Sequence, residues 1–287
     1  MISTLAELVA PLSEEDFVHL LRERRPWLAP GAGVGRYGAL VGWDTLMSAI
    51  RSPAYPARNI RLTKGGARLP RAFYRDANGV KPQMIERLMA SGASLVAYDI
   101  EPHAPPLGRL CANIAARVHE RVTAGVIASR GSGGALPPHY DDADLVVLQI
   151  EGAKRWIVEG GPVVDPVPGM PTVEDASGAG ILLDVVLEAG DFLFLPAGYR
   201  HRCETSGEGS LHAGVFFWPL TAPRALDLLL QRMMQDPALR APIRFDEAAA
   251  AAAEASLKTA LADLVRDLSL RGLLADHATT KLTPRRH

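Results

Sequence analysis

Glu188-Ala189-Gly190-Asp191-Phe192-Leu193-Phe194-Leu195-Pro196-Ala197-Gly198-Tyr199-Arg200-His201 reads as turn, strand, turn and histidine. Ala-Gly-Asp makes a tight turn into an apolar strand, and Pro-Ala-Gly turns the chain again and delivers His201 at the rim. A small barrel uses this layout to bring an imidazole opposite ligands carried on another strand. A single histidine at a strand end is more often a packed residue with one hydrogen bond, so His201 needs a partner motif.

That partner is His139-Tyr140-Asp141. On a strand, positions 139 and 141 share a face because side chains alternate with period two. An imidazole and a carboxylate side by side supply two ligands of a facial 2-His-1-carboxylate site, which keeps positions open for substrate and dioxygen. His-x-Asp alone is a common tripeptide. Taken jointly with the turn–strand–turn–His unit, it predicts a metal site of His139, Asp141 and His201.

Around these motifs, from about Ala124 to Trp218, short apolar runs are broken by Gly and Pro. Leu145 to Ile150, Arg155 to Val158, Ile181 to Leu187, Asp191 to Leu195 and His212 to Trp218 are predicted strands, which argues for an antiparallel sandwich or barrel. Gly160 to Gly180 reads as a long functional or disordered connection. Upstream, Ser13 caps a helix that Pro26 ends. Asn59 to Leu62 and Ser94 to Tyr98 read as strands, while Pro82 to Met89 and Pro105 to Val122 read as helices. Downstream, Pro223 to Gln235 and an alanine-rich stretch opening at Asp246 carry apolar helical stripes. These helices bury their stripes either within the chain or in a dimer. A frayed tail is expected over 275–287.

With 287 residues, 48% hydrophobic content and a net charge of −1, the chain is globular, and nothing global favours a nucleic-acid or membrane partner. Cys111 and Cys203 are too few for a disulfide framework, and no stretch has the length of a signal peptide core or a membrane span. A cytoplasmic protein is the expectation. Gly131-Ser132-Gly133-Gly134 lacks the lysine of a phosphate loop.

Pro137 to Asp142, Leu148 to Trp156 and the Gly190 to His201 unit together resemble the cupin-type JmjC-domain oxygenases related to ribosomal-protein hydroxylases. The likeness is specific from about Arg130 to Phe217 and looser at Ala10 to Ser13 and Arg24 to Trp27. It implies a mainly β fold, a double-stranded β-helix (jelly-roll) core with N-terminal helices and a C-terminal helical segment. The implied domains are 1–218, 219–274 as a possible dimerisation segment, and 275–287 as tail.

The resemblance also implies Fe(II) on His139, Asp141 and His201, and 2-oxoglutarate with its distal carboxylate on Lys154. Ser129 stands where the family has a Thr; Tyr140 and His212 can orient a ligand or carboxylate, and His212 reads otherwise as a packed strand histidine. A buried carboxylate needs a cation, which agrees with Lys154; by itself Lys154 reads as a solvated charge. The chain departs from the family at Gly125 and Ile127, where an Asn-x-Tyr pair is usual, and at Gly214, where a Thr is usual. Arg200 and Arg202, flanking His201, either meet an acidic substrate group or point outward.

The implied reaction is hydroxylation of a C–H bond, in a protein or peptide side chain by family analogy. A free amino acid or natural-product intermediate is the alternative substrate. A metal-binding cupin acting as sensor or scaffold, and a cupin enzyme without 2-oxoglutarate, are the alternative functions.

Overall fold

Leu145 to Ile150 is apolar at every position except Gln149, the pattern of a strand covered on both faces. In the computed structural model, residues 2–29, 31, 33–77, 79–131, 135–167, 170, 180–237, 239–240, 242, 250–266 and 268–279 are described. Leu145 and Val147 pack into an inner cluster with Trp156, Leu193, Leu195 and Phe216. Val146, Leu148 and Ile150, one step out of phase, pack into an outer cluster shared with the N-terminal helices. The period-two alternation therefore separates the barrel interior from the helix-covered exterior.

The described elements run in order. α1 (Leu5–Val9), α2 (Glu14–Glu23), β1 (Trp27–Ala29), α3 (Trp43–Arg51), β2 (Ile60–Lys64) and β3 (Ala67–Arg68) come first. A short ladder of β4 (Arg75–Asp76) and β5 (Gly79–Val80) precedes α4 (Pro82–Ala90), β6 (Ser94–Tyr98) and α5 (Pro105–Val118). The barrel strands are β7 (Arg121–Arg130), β8 (Ala135–His139), β9 (Asp144–Glu159), β10 (Ile181–Leu187), β11 (Phe192–Leu195) and β12 (His201–Trp218). The chain ends in α6 (Ala222–Met233), α7 (Ala250–Arg266) and α8 (Leu270–Thr279).

Ten strands form one sheet in the order β1-β11-β9-β12-β7-β6-β2-β3, with β10 beside β9 and β8 beside β12. The chain divides into two units, Met1–Val118 with Val122–Trp218, and His119–Arg121 with Pro219–His287. In the second unit, α6 and α8 are joined by an Arg232–Asp276 ion pair.

One pair of expected strands merges, and another strand is longer than expected. Leu145 to Ile150 and Arg155 to Val158 belong to the single strand β9, and the last strand reaches back from His212 to His201. The physical reason is a bend rather than a break. Gly152 has φ +66°, and a Cβ there would lie 2.0 Å from the Gly209 carbonyl oxygen, so the two long strands cross closely where they bend. The first half of β9 pairs with β11 and the end of β12, and its second half pairs with β10 and the start of β12. One strand pair thereby serves both walls of the barrel.

Ser13 caps α2 as its sequence predicts, its hydroxyl accepting from the Asp16 N–H at 3.0 Å. Residues 275–279 lie in α8, whereas 280–287 of the expected tail lie outside the described residues. So do residues 132–134, most of the 160–180 connection, and the helix opening at Asp246 as far as 249.

Candidate metal centre

The turn that precedes His201 is tied to the His-x-Asp motif by backbone. The Gly198 N–H donates to the Asp141 carbonyl at 2.9 Å, and the Ala197 N–H donates to Asp144 Oδ1 at 2.7 Å. Gly198 sits at φ +89°, and a Cβ there would lie 2.0 Å from the Val163 carbonyl oxygen. Only glycine meets both conditions. At the other end of the unit, the Asp191 carboxylate accepts from the Gly31 and Glu188 N–H groups at 2.6 and 2.7 Å, which fixes the entry into β11.

β8 ends at His139, so Asp141 lies just beyond the strand rather than one pleat along it. The convergence comes instead from the cross-strand register, in which His201 faces His139, and from the Gly198 bond to Asp141. One ligand atom from each of His139, Asp141 and His201 lies within 4.8 Å of the other two. The two imidazole centroids are 4.4 Å apart, and His201 Nε2 is 3.8 Å from Asp141 Oδ2.

His201 Nδ1 is 3.0 Å from the Tyr199 carbonyl. An acceptor there puts the proton on Nδ1 and leaves the Nε2 lone pair facing Asp141. Burial, and then the neighbouring His139, push the His201 pKa down to about 4, against the opposing pull of Asp141 and the Tyr199 bond. The ring is therefore a neutral ligand at physiological pH. Trp156 stacks on it at 5.5 Å, an anchor that was not singled out as a site residue. Its signal was its place two residues after Lys154, on the same face of β9.

Lys154 is fully buried. Its Nζ donates to Ser129 Oγ at 3.3 Å, and Ser129 Oγ shares a hydrogen bond of 2.8 Å with Ser94 Oγ. Among the described residues no ion pair reaches this ammonium, and burial lowers its pKa. His212 is also buried, packed edge-on to Trp156 at 5.5 Å, and among the described residues its Nδ1 has no hydrogen-bond partner. Burial, and secondarily Lys154, hold His212 well below the usual imidazole range.

Lys154 and Ser129 are thus in contact, while His212 shares the Trp156 ring with His201. The cavity beside the triad is small, about 40 Å³, and His212, Trp156, Leu145, Val147 and Phe216 help to line it. Lys154 and Ser129 are not on its wall, and neither is Tyr140, which is buried.

The departures at Gly125 and Gly214 have a steric counterpart. A Cβ on Gly214 would lie 3.2 Å from the Phe216 ring and 3.0 Å from Leu145 Cδ1, and one on Gly125 would lie 3.5 Å from the same ring. Phe216 fills the space that larger side chains at these positions would take. Arg200 and Arg202 meet no open site. Both close on Glu159, at 3.1 and 3.4 Å, and Arg202 also approaches Glu204 at 3.9 Å, so two acids offset the two guanidiniums. A larger cleft of about 380 Å³ opens between Trp43, Arg130, Glu151 and Glu208, without the triad on its wall.

Comparison with known proteins agrees with this geometry. The family model described as JmjC domain matches residues 105–224. A Drosophila persimilis protein named bifunctional lysine-specific demethylase and histidyl-hydroxylase NO66 is 25% identical over 211 residues, 73% of this chain and 31% of that protein. Ribosomal oxygenase 1 of Gallus gallus is 26% identical over 218 residues, 72% of this chain and 35% of that protein. The chain thus spans about a third of the length of these two relatives.

The Escherichia coli ribosomal oxygenase YcfD, solved with cobalt and 2-oxoglutarate, shares the fold with a TM-score of 0.57 at 18% identity. That match covers 89% of this chain and 67% of the other. Residues 105–224, which contain every residue of the candidate triad, match the JmjC domain model, and the chain shares its jelly-roll fold with YcfD.

Proposed function

We propose that this chain is an Fe(II)- and 2-oxoglutarate-dependent oxygenase that hydroxylates a C–H bond in a protein or peptide side chain. The observation that carries the reading is the convergence of two neutral-ligand-type imidazoles and one carboxylate within 4.8 Å. Such a donor set suits a divalent iron with open positions. His139, Asp141 and His201 would hold it.

The solitary buried ammonium of Lys154 supports the co-substrate. A buried charge is costly without a partner, and a carboxylate supplies one. Lys154 and Ser129 would hold the distal carboxylate, with His212 beside them. Bound together, the metal and the keto acid supply oxidation by dioxygen, in which the keto acid becomes succinate and carbon dioxide and one oxygen atom enters the C–H bond. The chain's own side chains orient and exclude. The Tyr199 carbonyl holds His201 in the ligand tautomer, Trp156 fixes its plane, and Leu145, Val147 and Phe216 keep water out.

The cavity beside the triad is narrow, so a bound dicarboxylate would displace part of the Phe216 and His212 wall. The names of the relatives, a histidyl-hydroxylase and ribosomal oxygenases, favour a protein substrate.

Residues 1–218 would form the oxygenase domain. The segment 219–274 would act in a homodimer, supported by the exposed stripe of Leu226, Leu230 and Met234 at helical spacing. Among the described residues no helix is long and apolar enough to cross a membrane, and the net charge is −1. These facts support a cytoplasmic setting without membrane or nucleic-acid contact.

A second reading, a metal-binding cupin without turnover, is favoured by Gly125, Ile127 and Gly214, which leave Lys154 and Ser129 as the main polar support. An anaerobic titration separates the two. Apo-protein receives Fe(II) and then 2-oxoglutarate while the visible charge-transfer band of a chelated keto acid is followed. A band that disappears in Lys154→Ala supports the oxygenase. Iron binding without a band selects the cupin that does not use the keto acid.

A further inference from the structure

The side of the triad that meets solvent is marked by Asp141, whose side chain is 29% exposed against 4% for His201. Tyr98, at the end of β6, lines the cavity on that side together with Val96. On β2, Arg61 is the cross-strand partner of Val96, so it shares the cavity-facing side of the sheet with Val96 and Tyr98. Its guanidinium lies over the Tyr98 ring, 5.0 Å from the centroid. Tyr98 and Asp141 both line the cavity, and Arg61, Asp141 and Arg68 are the charges that act on the Tyr98 phenol.

The guanidiniums of this rim differ in one respect. Arg200 and Arg202 are closed on Glu159, and Arg155 is closed on Asp184 at 2.7 Å. Arg61 and Arg68 have no ion pair among the described residues, and the one acid near them, Asp141, belongs to the triad. Arg61 is half-buried over the ring and also bonds the Tyr98 phenol, which takes only part of the five donors of its planar fork and leaves others for a carboxylate. The surrounding ring and sheet have already reduced its freedom, which lowers the cost of binding.

Resting on the oxygenase reading above, we infer that Arg61 is a specificity residue that pairs with a carboxylate of the substrate, so that the segment entering this site is a peptide bearing an acidic residue. Arg68 adds to the field that draws it in. A basic peptide meets repulsion at the same place.

The test uses the full chain with Mn(II) and 2-oxoglutarate, and rhodamine-labelled hexapeptides that differ only in a central Asp-Asp or Asn-Asn, read by fluorescence anisotropy. The Asp peptide is expected to bind about tenfold more tightly than its amide twin. In Arg61→Gln that preference falls to near unity while affinity for the amide peptide stays, which also shows that the variant is folded. Arg155→Gln keeps the preference.

Equal affinities in the wild-type chain, or an undiminished preference in Arg61→Gln, would overturn the assignment. Equal competition by N-acetyl-aspartate would overturn a peptide as the source of the carboxylate. The anaerobic keto-acid band is recorded in parallel on the same protein preparation loaded with Fe(II) in place of Mn(II). Its absence from the wild-type chain would count against the oxygenase reading, while the peptide preference still reports on Arg61.

Discussion

The three side chains of the proposed triad sit at the end of β8, just beyond it and at the start of β12, and the consequences of removing one differ from those of removing Lys154. His139→Ala or Asp141→Ala is expected to cut Fe(II) affinity by at least about a hundredfold, more than the loss of an outer support costs. Anaerobic iron titration measures this, and circular dichroism should show the fold retained. Lys154→Met should abolish the keto-acid band yet make the apo-protein more stable, by about 1–3 kcal/mol, because it removes a buried charge with no counter-ion.

The pH dependence follows from the direction of the shift. Burial lowers the Lys154 pKa below its ordinary value of 10.5, so the unfolded chain binds the proton more tightly than the folded one. Stability from this residue therefore rises as pH climbs through the folded pKa toward 10.5, and the rise is absent in Lys154→Met. His212 acts lower on the scale. Its pKa is depressed well below 6.5, so its stability is fully present above that pH and is lost as pH falls. Melting temperatures from pH 7 to 5 should fall less steeply in His212→Gln than in the wild-type chain.

At the scale of the element, the site depends on turns that hold two strands in register. Gly198→Ala meets both a positive φ and the Val163 carbonyl, and it disturbs the N–H bond to Asp141. A loss of roughly 2 kcal/mol or more is expected from the strain. A larger proportional loss of Fe(II) affinity should accompany it, since His201 and Asp141 move apart. Denaturant melts and iron titration of the same variant check the two effects, and an unchanged iron affinity would show that the turn does not position the ligands.

The bend of β9 and β12 at Gly152 explains why two apolar runs belong to one strand. The alternation of inner and outer residues was legible in Leu145 to Ile150. The continuity through Glu151-Gly152-Ala153 was not, because a Gly in a polar triplet has the same local signature as a loop.

For the whole molecule, the exposed stripe Leu226, Leu230 and Met234 on α6 predicts self-association. Leu226→Glu with Leu230→Glu should shift the chain from dimer to monomer in light scattering while Fe(II) stoichiometry stays unchanged. A wild-type monomer at micromolar concentration would sink the dimer reading.

By itself the sequence marked His139, Asp141 and His201 as candidates, the likeness to the JmjC-domain oxygenases and the β character of residues 124–218. Those properties follow from local signals: period-two alternation, Gly and Pro turns, and a His-x-Asp motif with a later His. Tertiary structure decided the rest. It placed Asp141 beyond the strand end and joined it to the Gly198 turn. It spent Arg200 and Arg202 on Glu159, and it set Phe216 against Gly125 and Gly214. It also laid Arg61 over Tyr98 at the mouth. Each of these is a meeting of side chains far apart in the chain, fixed by strand register and packing rather than by any local preference, and such meetings leave no mark in the order of residues.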